Sequence, residues 1–542
     1  MFAILRGDLI NGTQFPEKNL VRQIDDQRMW APIFILAAIF IWRIVITVTV
    51  NLIPDECSYW AWSRRLDWSY FDNSGMVAYL IRLSTEFFGR STPFTVRFPF
   101  LLMSIIFTIL IYSTGTRLSG SWRVGLLSAL FFNLTPISLL GGSSALHDNA
   151  LLMFWSLSLW SMSKFIGTEN YKYFYVAGLS SGLAILSKYT GALLLPVTLL
   201  WLLSSNRYRS ALSRKEPWIG ALIATLFVLP ILWWNFTHDW ASFKHILFIG
   251  TGYSGLWRKI SDGLGYQLAQ IITISPLFFI SVVASIFVAI AAELRENDDN
   301  KALLLCFGFP LFLFSVMSFR GHAEANWGVM GYVSTGILTV MIFTDPDNPI
   351  SRLFPSYSSL RKFAIAGASV SVLLVIIVVL HAWIGLLPAS VERNLAKNDR
   401  IIWETRGWND LGKYLVTVMA EGDVLASDSY QNCALLEFNV PGQPSVRYLS
   451  PWDRPTQFDV WHRSYDDLMG KNILFVSSKP LEPSSSVLMT IYENFASVEQ
   501  IPVYNVMYHG ESIRKIYIYR GHDFNPFEPR RLGPRSLFYS GL

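Results

Sequence analysis

Charge is scarce in this chain. Only 15% of its 542 residues are Asp, Glu, Lys or Arg, too few to cover a soluble protein of this length. The formal net charge of +5 is spread thinly, which argues against a nucleic-acid footprint. Cysteine is scarcer still. Cys57, Cys306 and Cys433 form no CxxC pair, which argues against a zinc ribbon or a redox motif. Cys306 lies in an apolar run and reads as a small core residue, while spacing alone does not join Cys57 to Cys433. No internal repeat or low-complexity tract stands out, and no Gly-rich phosphate loop precedes a helix in the C-terminal third. The initiator is not followed by an apolar h-region, so no cleavable signal peptide is expected.

What the chain has in excess is apolar residues, at 52%, with 20 Trp and 23 Tyr and a mean hydropathy of +0.35. These numbers fit a polytopic membrane protein with wide interfacial aromatic belts. Apolar runs fall near 31–53, 93–113, 122–141, 149–163, 173–187, 189–204, 217–234, 264–292, 302–317, 327–343 and 363–387. That is roughly eleven spans on a window of about 19 residues. With a cytoplasmic N-terminus, every inner loop carries at least two basic residues, such as Arg117 and Arg123, or Arg207, Arg209, Arg214 and Lys215. This alternation obeys the positive-inside rule and places the tail from about residue 388 outside.

The loops assigned to the opposite side hold the unusual chemistry. Asp55-Glu56 follows the first apolar run, His147-Asp148 opens the fourth, and Lys188-Tyr189 interrupts a nearly continuous apolar stretch. A carboxylate at a membrane boundary takes a proton or binds a cation, although singly it reads as a solvated loop residue. Asp148 also suits a helix N-terminus. Lys188 is costly in an apolar stretch unless it has an anionic partner or snorkels to the interface. In WWNFTHDW, Trp234, His238 and Asp239 offer either an interfacial anchor or an aromatic wall for a sugar ring. In SFRGHAEANW, Arg320, His322 and Glu324 fall within five residues. An arginine there suits a bidentate phosphate contact, against the alternative of a charged surface turn. Five such clusters on one side argue for an active site.

The tail is richer in charge. GDVLASD (422–428), NILFVSS (472–478) and SIRKIYIYR (512–520) read as strands, and WNDLGKYLVTVMAEG (408–422) reads as a helix. A small α/β domain is expected there.

In order along the chain, DECSYWAWSRRLDWSYFDNSGMVAYLIRLSTEFFG, HDNALLMFWSLSLW, SKYTGALLLP, WWNFTHDWASF and EANWGVMGY resemble the bacterial GT-C lipid-linked-sugar transferases. This group is related to protein O-mannosyltransferases and aminoarabinose transferases. RGWNDLGKYL and QFDVW resemble the tail of bacterial relatives, so the resemblance runs from about residue 31 to residue 480. It departs in one place: relatives commonly follow Tyr-(Tyr/Phe)-Asp with His-Pro-Pro or Lys-Pro, whereas Tyr70-Phe71-Asp72 precedes Asn73-Ser74-Gly75 here.

The resemblance implies a polytopic α-helical GT-C fold of about 11–13 transmembrane helices with an extracytoplasmic α/β domain. The expected divisions are a cytoplasmic segment at 1–30, a membrane domain at 31–387 and an outer domain at 388–542. Amphipathic helices within 55–92 are expected along the outer surface, LSTEFFGR (83–90) among them. The implied donor is a polyprenyl-phosphate-linked sugar, and the implied acceptor a glycolipid, a lipopolysaccharide or a protein. The chemistry would be an inverting displacement at the bacterial inner membrane. By the same resemblance Asp55 is the general base, with Glu56 and Asp148 orienting hydroxyls or sharing a divalent cation. Lys188, Arg320 and His322 would face the donor phosphate. Tyr70, Asp72, His147, Tyr189, Trp234, His238, Asp239, Glu324, Asn326 and Trp327 would line the sugar and acceptor pocket. No organic cofactor is expected, and the remaining partners are membrane lipids. The rival reading is a lipid or small-molecule transporter, which would place ionisable groups near the bilayer midplane and within repeats.

Overall fold

The computed structural model describes residues 30–526, save 251–254, 297, 322, 346–356, 389, 392–393, 395–399, 450–454, 463 and 481–491. Its Cα neighbours divide into two compact units. The first gathers Met1–Val48, Arg97–Ile231 and Ile249–Ile376, and the second Thr49–Val96, Leu232–Phe248 and Ile377–Leu542.

The first unit is helical and apolar. Among the described residues, Trp30–Thr49, Pro93–Ser119, His147–Thr168, Lys215–Thr237, Asp299–Met317 and Lys362–Ile384 are long and apolar enough to cross a membrane. Leu256–Ile274 and Pro276–Ala292 form one further candidate span, bent by 108°. The bend has a local cause: Ser275 sits at φ 86° directly before Pro276, a position that proline disfavours for helix. Of the remaining expected runs, three are the shorter helices Tyr173–Ser187, Tyr189–Ser204 and Gly331–Thr344. The run at 122–141 divides at Leu134-Thr135 into Trp122–Asn133 and Pro136–Gly141.

Trp30–Thr49 buries Ile39, Arg43, Ile46 and Thr47 while Ile33, Phe34, Ile41, Ile44 and Val48 stay exposed. The buried positions recur at helical spacing and so form one face. His147–Thr168 is the most enclosed of the spans, and its buried Ser156, Ser158, Ser161 and Ser163 let neighbours approach closely. Glycine serves the same end where Tyr173–Ser187 meets Lys215–Leu226. A Cβ on Gly178 would stand 2.1 Å from the Gly220 carbonyl oxygen.

The second unit holds a five-stranded sheet in the order β2-β1-β3-β5-β4. Its strands are β1 (Val424–Ser427), β2 (Arg447–Tyr448), β3 (Ile473–Ser477), β4 (Phe495–Tyr508) and β5 (Glu511–Phe524). β1 runs parallel to β2 and β3, while β5 runs antiparallel to β3 and β4. The three expected strands are β1, β3 and β5. β4 carries Pro502 and register shifts at the edge of the sheet, devices that discourage further strand pairing. The expected helix forms as Trp408–Val418. Pro54–Arg64 and Met76–Phe88 belong to this unit, and the latter ends on left-handed Gly89 with Leu83 and Phe87 exposed. All three cysteines are free thiols.

Candidate active site

In the apolar unit, three of the expected residues meet. Helix Tyr173–Ser187 stops at Lys188, whose extended backbone leads into the 3-10 turn Tyr189–Leu193. The break turns the lysine into the unit, where its Nζ lies 2.8 Å from Asp148 Oδ1. Asn326 Nδ2 donates to the other carboxylate oxygen, Asp148 Oδ2, at 2.7 Å. Asp148 is in the first turn of His147–Thr168, where the helix dipole favours an anion. His147, buried, places Nδ1 2.8 Å from the Ser187 carbonyl oxygen, which fixes the helix start against the break. Asn149 Nδ2 donates to the carbonyls of Gly141 and Ser144. Lys188 thus has the anionic partner that its burial demands. Its ammonium has three donors, one of them used by Asp148.

The other candidates of this unit are more open. Tyr189 is half-buried, and Trp327 packs edge-on against Phe314. Arg320 and Glu324 are exposed on the turn before Gly331–Thr344, and His322 lies outside the described residues. One residue not singled out from sequence stands beside this cluster. Arg43 is buried on its helix, with Nη2 donating to Asn133 Oδ1 and Ser138 Oγ, each at 2.8 Å. A cavity of about 80 Å³ is lined in part by Arg43, Asp148 and Asn326. The signal for Arg43 was available, as a lone cation inside the first apolar run.

The second unit arranges its candidates around an aromatic loop. Asp55 and Glu56 stand in the first turn of Pro54–Arg64. Asp55 is partly exposed, whereas Glu56 is buried and its Oε2 accepts from the Ile53 N–H at 3.2 Å. Tyr70 stacks on Trp62 with ring centroids 4.4 Å apart, and its hydroxyl donates to the Trp62 carbonyl oxygen. Burial pushes the Tyr70 phenol well above its ordinary pKa, and pushes that of Tyr79 up to about 12. The Asn73 Oδ1 accepts from the Ser74 N–H, a bond that a proline at position 74 would lack. A Cβ on Gly75 would meet the Tyr79 ring at 2.7 Å, so the departure at 73–75 forms a compact turn of its own.

Trp234 is 1% exposed in a core with Phe71, Ala241 and Val460. Its Nε1 donates to Asp67 Oδ2 at 2.9 Å, and His238 stacks on it with centroids 4.1 Å apart. Asp239 is exposed at φ 54°. His245 Nε2 lies 3.4 Å from Asp72 Oδ1. Two short helices from the tail hold this loop. Gln457 Oε1 accepts from the Phe71 N–H, and the Arg65 guanidinium lies 4.6 Å above the Trp461 ring. Glu437, fully buried, takes Arg65 Nη2 at 3.0 Å and the Val446 N–H at 3.0 Å, with Arg64 at 3.8 Å. Asp67, His245, Glu437 and Gln457 were not legible as site neighbours, because their partners lie far away in sequence.

Among the described residues, no three His, Cys, Asp or Glu side chains are grouped to hold a metal ion. Both oxygens of Asp148 are already engaged by Lys188 and Asn326.

A family model described as dolichyl-phosphate-mannose-protein mannosyltransferase matches residues 72–234. A lipid A galacturonosyltransferase, RgtD of Rhizobium johnstonii, is 27% identical over 315 residues, 57% of this chain. The aligned stretch spans 65% of the relative's length. ArnT from Cupriavidus metallidurans, solved with undecaprenyl phosphate, superposes with a TM-score of 0.60 at 14% identity, covering 90% of this chain and 98% of that one. The Archaeoglobus fulgidus oligosaccharyltransferase gives a TM-score of 0.50 at 11% identity over 78% of this chain and 65% of its own. The chain has the ArnT-like fold of a multi-pass membrane protein with a small C-terminal sheet domain. Its motifs, the mannosyltransferase family model matched over residues 72–234 and the galacturonosyltransferase relative make the chain similar to the GT-C glycosyltransferases of lipid-linked sugars.

Proposed function

We propose that the protein transfers a sugar from a polyprenyl-phosphate donor to an acceptor on the extracytoplasmic face of the bacterial inner membrane. The donor class is suggested by ArnT, solved with undecaprenyl phosphate. The galacturonosyltransferase relative, which acts on lipid A, suggests a glycolipid acceptor and an acidic sugar. The observation that carries the reading is the Lys188–Asp148–Asn326 cluster at the break of an apolar helix. Ionisable groups in such surroundings are costly unless function retains them.

In the proposed reaction, the acceptor hydroxyl oxygen forms a bond to the anomeric carbon as the bond from that carbon to the phosphate oxygen breaks. The electron pair leaves with the polyprenyl phosphate, and the hydroxyl proton passes to the Asp55 carboxylate. Proton transfer of this kind contributes about 10²–10⁴-fold. Positive groups placed in advance stabilise the charge that grows on the leaving phosphate. Lys188 keeps donors for this role while its own charge is offset by Asp148, and Arg320 is the second cation. Asp148 and Asn326 orient sugar hydroxyls through the edges they leave open. The N-terminus is cytoplasmic and the tail outside, following the basic inner loops.

The test is sugar transfer from undecaprenyl-phosphate-linked sugars to a membrane glycolipid extract, with wild type beside Asp55→Asn. Transfer by wild type that falls about 10²–10⁴-fold in the variant supports the reading. Equal turnover by the folded variant removes Asp55 as the base, and no transfer from any lipid donor removes the function.

A further inference from the structure

Arg43 is harder to explain as structure than any other polar group of the apolar unit. It lies within the span Trp30–Thr49 and is 1% exposed. Its Nη2 ties Asn133 and Ser138, a job that an uncharged amide would do. Nε and Nη1 are buried with no hydrogen-bond partner, and no carboxylate pairs with the guanidinium among the described residues. An unpaired buried charge costs several kcal/mol, and an ionisable residue inside a membrane marks a functional site by default. The surroundings keep this guanidinium where it is: a Cβ on Gly142 would stand 2.7 Å from Nε and 2.8 Å from Nη2.

Arg43 also lines a cavity. Its volume is about 80 Å³, well above the ~10–15 Å³ that one water needs. Ser138, Gly142, Asp148 and Asn326 line the same space. Arg43 and Asp148 are the charged residues of the lining; with Lys188, which pairs with Asp148, the three groups carry a net charge of +1. A cavity of this kind suits an oxyanion, since a guanidinium donates planar, charge-assisted hydrogen bonds to carboxylate or phosphate.

We propose that this cavity takes an oxyanion of the lipid-linked donor, with Arg43 as its binding residue. The inference rests on the function proposed above and names a contact of that site. The oxyanion has two possible sources: the phosphate of the polyprenyl carrier, or a carboxylate on the transferred sugar.

The test measures binding by the full-length protein in detergent to four probes: undecaprenol, undecaprenyl phosphate, and undecaprenyl phosphate carrying galactose or galacturonic acid. Wild type is set beside Arg43→Gln and Arg43→Lys. If the phosphate is held, Arg43→Gln loses about tenfold or more in affinity for all three phosphate-bearing probes, and undecaprenol is unaffected. If the carboxylate is held, only the galacturonic acid probe loses affinity. Arg43→Lys, which keeps the charge, loses less in either case and serves alone where the glutamine variant does not fold. Equal affinities in wild type and the Arg43 variants overturn the proposal, as does a parallel loss of undecaprenol. Binding needs no turnover, so a wild type that binds in this pattern yet transfers no sugar overturns the function and leaves this contact standing.

Discussion

The two units treat buried charge in opposite ways. In the tail unit, Glu437 is fully buried with Arg64, Arg65 and the Val446 N–H around it. Asp67 is engaged by the Trp234 indole and the Trp68 N–H. These carboxylates are absorbed by the fold, joining loop to helix and strand. In the apolar unit, Lys188 keeps donors beyond its bond to Asp148, and Arg43, with two buried guanidinium nitrogens that have no hydrogen-bond partner, lines the same cavity as Asp148. The contrast separates charge that organises the fold from charge retained for chemistry.

Breaking the Lys188–Asp148 pair should have the largest effect. Lys188→Gln leaves Asp148 without its cation, and loss of one partner of a buried pair costs about 3–5 kcal/mol. Transfer should fall about 10²–10³-fold, as for one missing charge-stabilising donor. The double variant Lys188→Gln with Asp148→Asn sharpens the comparison, because it removes the uncompensated charge. Thermal unfolding should show most of the stability restored while the transfer rate stays low. Recovery of both would make the pair a structural tie like those of the tail unit.

In the tail unit the same kind of change should affect stability alone. Glu437→Gln should cost about 1–3 kcal/mol, the range for weakening charged hydrogen bonds at a buried acceptor, with kcat unchanged once the protein is folded. Trp234→Phe should cost less, about 0.5–1.5 kcal/mol for the lost bond to Asp67, and turnover on saturating donor should persist. A collapse of kcat in Trp234→Phe would move this ring from the core into the chemistry.

A further comparison concerns acid. Burial, with Arg447 and Arg65 adding to it, holds the pKa of His462 down at about 3 against an ordinary 6.5. The unfolded chain therefore binds more protons than the folded one between these values. Stability from neutral His462 is complete above about pH 6.5 and is lost as pH falls towards 3. Melting temperatures of His462→Gln should fall less than those of wild type over this window, and parallel curves would contradict the assignment.

How far the sequence reveals this division depends on where each partner lies. Lys188 could be read as needing an anion because it interrupts an apolar stretch, and Asp148 was within reach as a nearby carboxylate. Arg43 gives the same kind of signal, but its partners Asn133 and Ser138 are neutral and about 90 residues away. The spacing of WWNFTHDW revealed an aromatic cluster without showing which ring faces the core. Burial of Trp234 depends on Phe71 and on Val460 of the tail, a packing that local composition does not encode. In the tail, β1 and β3 were legible as short apolar runs. β4 was not, since its mixed burial and Pro502 suit an edge strand and break the alternation that marks a half-buried one.

The most direct measurement is the anomeric configuration of the product, read by NMR after transfer from an undecaprenyl-phosphate sugar of known anomer. A single displacement with Asp55 as base predicts a glycoside of the opposite configuration. A product that keeps the donor's configuration would contradict the mechanism, and the absence of any glycoside would contradict the function.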